Sequence, residues 1–399
     1  MGRMRTLVGI AHNLRRIEKA SNRSMIHRRT SMTMKVGLVI NPYAGLGGSV
    51  ALKGSDGIEI VDLALERGAQ PRAADRCIRA LMRMKGSNTR LFTVAGEMGE
   101  YACRAAGIEA TVIATPSATH TGADSSEACR ALRSEGVELI LFGGGDGTAR
   151  DVVAALCETP SLILGIPCGV KMYSGVFART PEHAGDLVHQ CANGTVTIRE
   201  AELLDIDEQA IRSDRISTRL HGYARVPSDP RHMQNAKATG ADPDLAVSAA
   251  ARGFASQMRA DSVYFLGPGR TVQALAEHLD GKATLLGVDA YLGHTLICRD
   301  AEELDLLALA KRHPAHVVVG LTGGQGCLFG RGNQQISAAV LALINPENLH
   351  VFASATKVAQ LPGGQVFVDT GDPDINARFS TFIRVHTGPN RSAMLHVVS

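Results

Sequence analysis

Between Met34 and Ile166 the chain alternates short apolar runs with stretches of helical period, an order that few folds accommodate. The runs are Val36 to Ile40, Leu91 to Ala95, Ala110 to Ala114, Val137 to Phe142 and Leu162 to Ile166. Between them lie helical patterns over Ala74 to Met84, with Ile78, Leu81 and Met82 on one face, onward from Glu97, over Asp124 to Arg133 and over Thr148 to Cys157. Strands that read as near-continuous apolar runs are buried on both faces, so this half predicts an α/β unit: a Rossmann-like parallel sheet with helices on either side.

After a helix predicted over Pro181 to Cys191 the texture changes. Two longer alternating stretches, Thr195 to Ile206 and Ile216 to Val226, are joined by the polar Arg212 to Arg215 and predict a hairpin that opens a second unit. Pro227 to Pro243 is polar and bounded by prolines, which predicts a flexible connection. Beyond it come a strand at Ser262 to Leu266, a helix from Thr271 to Leu279, a strand at Thr284 to Val288, a helix from Glu302 to Arg312 and a strand at His316 to Gly320. A chain of 399 residues is too long for one ordinary core. The expected division is an extension over 1–33, an N-terminal α/β domain over 34–200 and a mixed α and β C-terminal domain over 201–399.

The net charge of +3 conceals an asymmetry, because residues 1–33 hold eight Arg and Lys against the single acidic Glu18. The remainder carries 34 basic and 38 acidic residues, so the folded part is mildly acidic and nothing marks a nucleic-acid face. The extension is read as a disordered tail or a mis-set start, since a start-like Met34 stands directly before the first strand. No apolar run approaches the roughly 20 residues of a membrane helix. The eight cysteines, at 77, 103, 129, 157, 168, 191, 298 and 327, include no Cys-x-x-Cys and no clustered His partners. That spacing argues against zinc and disulfide frameworks and for a reducing cytoplasm. Cys77, Cys103, Cys129 and Cys157 fall in apolar helical patterns, where Cys behaves as a small hydrophobe.

Glycine makes up 42 residues while aromatics are 4% and Trp is absent, so tight turns rather than aromatic platforms should shape any site. The strongest local signal is Leu141-Phe142-Gly143-Gly144-Gly145-Asp146-Gly147-Thr148, a buried strand running into a glycine turn and a helix start. Glycines let a phosphate approach the backbone, and the helix N-terminus adds a positive dipole end. A carboxylate in such a loop either takes a proton from an attacking hydroxyl, sits beside a metal, or serves only as a turn or cap residue. A second loop, Asn41-Pro42-Tyr43-Ala44-Gly45-Leu46-Gly47-Gly48, follows the first strand, so both loops leave the carboxyl edge of a parallel sheet, where ligands bind. Neither loop is a P-loop or a Gly-x-Gly-x-x-Gly fingerprint.

Asn41 to Gly48 together with Gly144-Gly145-Asp146-Gly147-Thr148 resembles the NAD kinase superfamily, which also includes diacylglycerol and sphingosine kinases. Four further segments are similar to one branch of it, the bacterial ATP-NAD kinase-like group that includes the acetoin-catabolism X protein. They are Gly165 to Met172, Gly267-Pro268-Gly269, Leu286-Gly287-Val288-Asp289, and Gly323 to Asn333, which contains Gly330-Arg331-Gly332-Asn333. The resemblance runs from Lys35 to the C-terminus. It implies that Asp146 is the base for the acceptor hydroxyl and that Gly143, Gly144, Gly145, Gly147 and Thr148 bind phosphates alongside Asn41, Gly45, Gly47 and Gly48. It further implies a kinase that phosphorylates the 2′-hydroxyl of NAD with ATP or polyphosphate and Mg²⁺, with small-molecule nucleotides as partners. A cytoplasmic homo-oligomer is expected, with no nucleic-acid or membrane partner. NAD kinases hold the acceptor with an Asn-Glu pair that is absent here, and Asp207-Glu208 occupies the comparable place. An ionised Asp only accepts hydrogen bonds where Asn also donates, so the acceptor contacts differ. A kinase for another alcohol and a non-catalytic nucleotide-binding accessory of acetoin-type catabolism remain alternatives.

Secondary positions carry two readings each. Asp124 precedes Glu127 by three residues, the spacing of an N-cap and its partner, and with Thr121 it could also border the acceptor. Lys171 is either a cation for a triphosphate or a solvated residue at a helix start. Thr271 is expected to cap its helix, and Arg331 and Asn333 form a polar loop suited to loop order, an oligomer contact or a ligand.

Overall fold

A computed structural model describes residues 33–52, 57–117, 120–156, 161–170, 172–206, 218–234, 245–321 and 325–399. Residues 1–32 of the extension, Cys157, Lys171, Asp207, Glu208, Gly323 and Gly324 lie outside the described residues. The first half runs β1 (Met34–Ile40), α1 (Ile58–Glu66), α2 (Ala73–Arg83), β2 (Thr89–Val94), α3 (Glu100–Ala106), β3 (Ala110–Ala114), α4 (Gly122–Ser134), β4 (Leu139–Gly144), α5 (Asp146–Ala155), β5 (Leu162–Pro167) and α6 (Pro181–Ala192). A hairpin of β6 (Thr197–Ile206) and β7 (Thr218–Ser228) follows.

These strands form one sheet in the order β3-β2-β1-β4-β5-β7-β6, parallel apart from the antiparallel β6–β7 pair. β1 lies at its centre, with Val36, Leu38, Val39 and Ile40 fully buried, as a strand covered on both faces requires. α2 packs against α3 and α6 on one side, and α4 against α5 on the other. The hairpin expected to open the second unit instead extends the first sheet beyond residue 200, through β7 beside β5. Nor is all of Pro227 to Pro243 a loose connection. Pro227 and Ser228 end β7, and Asp229 ties the next turn by accepting from the Arg231 amide (2.9 Å) and from Gln190 Nε2 (3.1 Å).

The second half runs α7 (Leu245–Ala255), β8 (Val263–Leu266), α8 (Arg270–Ala276), β9 (Asp289–Leu292), β10 (Thr295–Cys298), α9 (Glu303–Ala310), β11 (Ala315–Gly320), β12 (Cys327–Phe329), α10 (Ala338–Ala342), β13 (Leu349–Phe352), α11 (Ala355–Ala359), β14 (Gln365–Val368), α12 (Pro373–Phe379), β15 (Phe382–Gly388) and β16 (Arg391–Val398). Its sheet, in the order β10-β9-β8-β11-β13-β15-β16-β14-β12, mixes parallel and antiparallel neighbours and has its own buried core around Val317, Val319, Phe329 and Val385. The strand expected at Thr284 to Val288 is irregular. Asp289 accepts from the Thr284 amide (2.7 Å) and the Asp300 amide (2.9 Å), curling the segment before β9 begins. α8 starts at Arg270 behind Gly269, so Thr271 is not its cap, and Thr271 Oγ1 accepts from Lys357 Nζ (3.1 Å) instead. Among the described residues no helix is long and apolar enough to cross a membrane.

Candidate active site

Asn41, at the end of β1, fastens the two glycine loops together. Its amide donates to the Gly143 carbonyl (2.9 Å), its Nδ2 donates to Thr148 Oγ1 (3.1 Å), and its Oδ1 accepts from the Tyr43 amide (3.1 Å). A carboxylate could not both donate and accept in this way. The first loop is thus tied to both ends of the second.

The glycines of these loops are packed against the protein's own atoms. Gly45 has φ 79°, and a Cβ there would fall on the carbonyl oxygen of Cys168. Gly143 is closed off in the same manner by Cys77 Sγ and Gly144 by the Thr148 side chain. A Cβ on Gly145 would stand 3.2 Å from the Gly169 α carbon, and one on Gly48 would stand 3.0 Å from Gln334 Cβ. Close packing between loops therefore already requires small residues here, before any ligand is considered. Gly47 is buried in the turn Leu46–Gly48, and Gly147 is the second residue of α5.

α5 begins two residues earlier than the sequence pattern suggests, with Gly145 as N-cap and Asp146 as its first residue. Asp146 is 5% exposed, and its two oxygens accept from the amides of Tyr173 (2.6 Å) and Ser174 (3.1 Å). An acidic residue in the first helical turn also suits the helix dipole. The segment that holds it is itself braced: Ser174 Oγ donates to the Leu204 carbonyl (2.9 Å), and Gln234 Nε2 donates to the Ser174 carbonyl (2.7 Å). Burial and the charge of Asp146 push the Tyr173 hydroxyl up to about 12, so it stays protonated. The Gly144 carbonyl accepts from the amides of Cys168 (3.0 Å) and Gly169 (3.1 Å), which binds the turn after β5 to the turn after β4.

Asp124 is not an N-cap. Thr121 caps α4 and Asp124 is its third residue, in a capping box. Burial would raise the Asp124 carboxyl, but hydrogen bonds from the amide and hydroxyl of Ser117 and of Thr121 outweigh it and bring it down to about 2. Four donors hold this carboxylate within its own turn. That turn nevertheless lies beside the first glycine loop, since the rings of Tyr43 and His120 are 6.4 Å apart.

Two glycine-rich loops fastened together beside one carboxylate at a sheet edge have a counterpart among known domains. Residues 36–196 match the ATP-NAD kinase N-terminal domain, and residues 259–397 match the ATP-NAD kinase C-terminal domain. The chain belongs to the ATP-NAD kinase family. No curated protein matches it closely enough to be counted as a relative. The hairpin β6–β7 falls between the two matched domains of this kinase-family chain.

The C-terminal domain closes over Gly169, Val170 and Met172 after β5. Gln334 Nε2 donates to the Gly169 (3.3 Å) and Val170 (3.1 Å) carbonyls, the Gly332 amide donates to the Val170 carbonyl (2.9 Å), and Gln325 Nε2 donates to the Met172 carbonyl. Arg331, 8% exposed, donates to the Arg179 carbonyl, while Asn333 ties its own turn through Gly330 (3.2 Å) and Leu328 (2.9 Å). The polar loop at Arg331 and Asn333 thus orders the junction between the domains. Beside it lies a cavity of about 500 Å³ lined by Gly45, Arg72, Arg76, Cys168, Gly169 and Asp369, among others.

Asp369, fully buried, pairs with Arg76 and with Arg79 (3.3 Å), and Arg76 also donates to the Pro167 carbonyl. Burial would raise the Asp369 carboxyl, but the charges of Arg76, Arg331 and Arg79 hold it below its ordinary range. Sequence reasoning missed Tyr173, Ser174, Cys168 and this ion network. The spacing of Arg72, Arg76, Arg79 and Arg83, which puts four cations on one face of α2, was the available signal for part of it. Lys171, Asp207 and Glu208 lie outside the described residues.

Proposed function

We propose that this family member phosphorylates the 2′-hydroxyl of NAD to give NADP in the cytoplasm, with ATP or polyphosphate as donor. The observation that carries the reading is Asp146, a carboxylate oriented by two amides at the first turn of a helix, between glycine loops that Asn41 ties together. Phosphoryl transfer asks a protein for positioning and charge stabilisation more than for covalent chemistry. In this reading Asp146 takes the proton of the 2′-hydroxyl as that oxygen attacks the donor's terminal phosphorus. The first amides of α5 face the phosphate charge. Lys171 would add a cation to the donor site. Thr121, Asp124, Asp207 and Glu208 would border the acceptor.

Among the described residues no group of three or more His, Cys, Asp or Glu side chains could hold a metal. Mg²⁺ keeps few protein ligands in such sites and binds largely through substrate phosphates, so it would arrive with the donor, and no step is assigned to a protein-held ion. The reading is tested by incubating the purified protein with NAD, Mg²⁺ and either ATP or polyphosphate and assaying NADP. Accumulation with one donor is expected. Nucleotide binding without NADP from either donor would overturn the kinase reading in favour of the accessory one.

A further inference from the structure

We propose that Cys77 and Cys168 form an oxidisable dithiol, a modification site at which a hydroperoxide entering the cavity between the domains converts the two thiols to a disulfide. Cys77 lies on α2 and Cys168 in the turn after β5, and both are free thiols. Cys168 Sγ donates to the Ala73 carbonyl of α2 (3.9 Å), which holds it against the helix that carries Cys77. They converge over Gly143, where a Cβ would strike Cys77 Sγ and sit 3.6 Å from Cys168 Sγ. Cys77 is fully buried, whereas Cys168, 6% exposed, lines the cavity. A small oxidant therefore meets Cys168 first and finds Cys77 directly behind it.

The electrostatics suit the two roles. Burial pushes the Cys168 thiol up, but the neighbouring Cys77 and the charges of Arg76 and Arg331 bring it below its ordinary value. Burial, together with the neighbouring Cys168, pushes the Cys77 thiol up. Burial instead lifts the buried Cys103 and Cys129 thiols to about 12, which makes them inert by comparison.

The chemistry closes without a further reagent. The Cys168 sulfur attacks one oxygen of the hydroperoxide, the O–O bond breaks, and the departing alkoxide leaves as an alcohol with the proton of Cys77. The Cys77 sulfur then displaces hydroxide from the Cys168 sulfenic acid, and the hydroxide leaves as water by taking back from solvent the proton that Cys168 released on ionising. One hydroperoxide is reduced by two electrons, two thiols are oxidised by two, and the products are a disulfide, an alcohol and water. The cross-link would join α2 to the backbone against which both glycine loops rest, since the Cys168 amide donates to the Gly144 carbonyl (3.0 Å) and the Cys168 carbonyl abuts Gly45.

Full-length protein treated with a small excess of hydrogen peroxide, alkylated and digested without reduction should yield one linked peptide pair joining Cys77 to Cys168. The pair should be two hydrogens lighter than its reduced form and should separate on adding dithiothreitol. In Cys77→Ala, dimedone should trap a sulfenic acid at Cys168, and in Cys168→Ser, Cys77 should remain a thiol. Links between other cysteines in place of this pair would overturn the proposal. So would a native wild type in which Cys168 stays unmodified while the unfolded protein reacts. No nucleotide enters this readout, so its outcome is independent of the proposed activity.

Discussion

Replacing Asp146 by Asn separates what the carboxylate does for the fold from what it does for a hydroxyl. Both oxygens accept from buried amides, at 2.6 Å from Tyr173 and 3.1 Å from Ser174. The isosteric amide keeps one acceptor and turns an NH₂ toward the other N–H, so one buried donor loses its partner and faces a second donor. An unsatisfied buried group costs about 1–3 kcal/mol, and the negative charge lost from the first turn of α5 removes about 0.3–1 kcal/mol more. A melting temperature several degrees lower follows. Domains with about 5–15 kcal/mol of stability remain folded after such a loss at 25 °C. A general base contributes about 10²- to 10⁴-fold, equivalent to about 3–5 kcal/mol of barrier, so turnover should fall far more than the folded population does. Thermal unfolding followed by circular dichroism and NADP formation are the two readouts, with Asp146→Ala as a comparison that removes both acceptor oxygens and melts lower still. Near-normal turnover in Asp146→Asn would refute the base assignment. An unchanged melting temperature would refute the anchoring by Tyr173 and Ser174.

Asp369→Ala strips the partly buried Arg76 of its counterion, and breaking one side of a fully buried pair costs about 3–5 kcal/mol, an upper bound here that urea denaturation measures. Replacing Arg76 and Asp369 together by apolar residues should recover much of that loss, and a double variant no better than Asp369→Ala would contradict it. Because the folded Asp369 carboxyl lies below its ordinary range, its contribution is present above about pH 4 and is lost as the pH falls further. His350 works in a higher window: burial, with the charges of His316 and His386, brings it down to about 3, while the unfolded chain takes up its proton near pH 6.5. The unfolded state therefore binds the extra proton between these values, and stability erodes as the pH drops from about 6.5. Unfolding free energies at pH 7, 6 and 5 should fall in the wild type and fall less steeply in His350→Gln, whereas parallel profiles would count against this account.

Strand and helix positions in the first half were readable because burial on both faces leaves an uninterrupted apolar run, as in Val36 to Ile40, and amphipathic helices leave a period. The loop around Asp146 was readable from its context: an acidic residue among glycines can be a mere turn or cap, but a second glycine loop at the carboxyl end of a neighbouring strand marked the same sheet edge. The failures share a cause as well. Alternation identified the strands β6 and β7 but carried no information on their neighbour, and the pairing of Leu162 with Arg225 that adds them to the first sheet is a long-range event. Thr284 to Val288 read as a strand because its composition is apolar, yet the Asp289 side chain competes for its backbone. Arg76 and Asp369 stand 293 positions apart, and Cys77 and Cys168 come from different elements. The sequence by itself determined the elements, the two glycine loops and the acidic residue between them, since local period and backbone sterics act over a few residues. Only the tertiary structure decided which amides hold Asp146, which arginines surround Asp369 and which thiols meet over Gly143, because burial turns those choices into pairings between groups that the chain order keeps far apart.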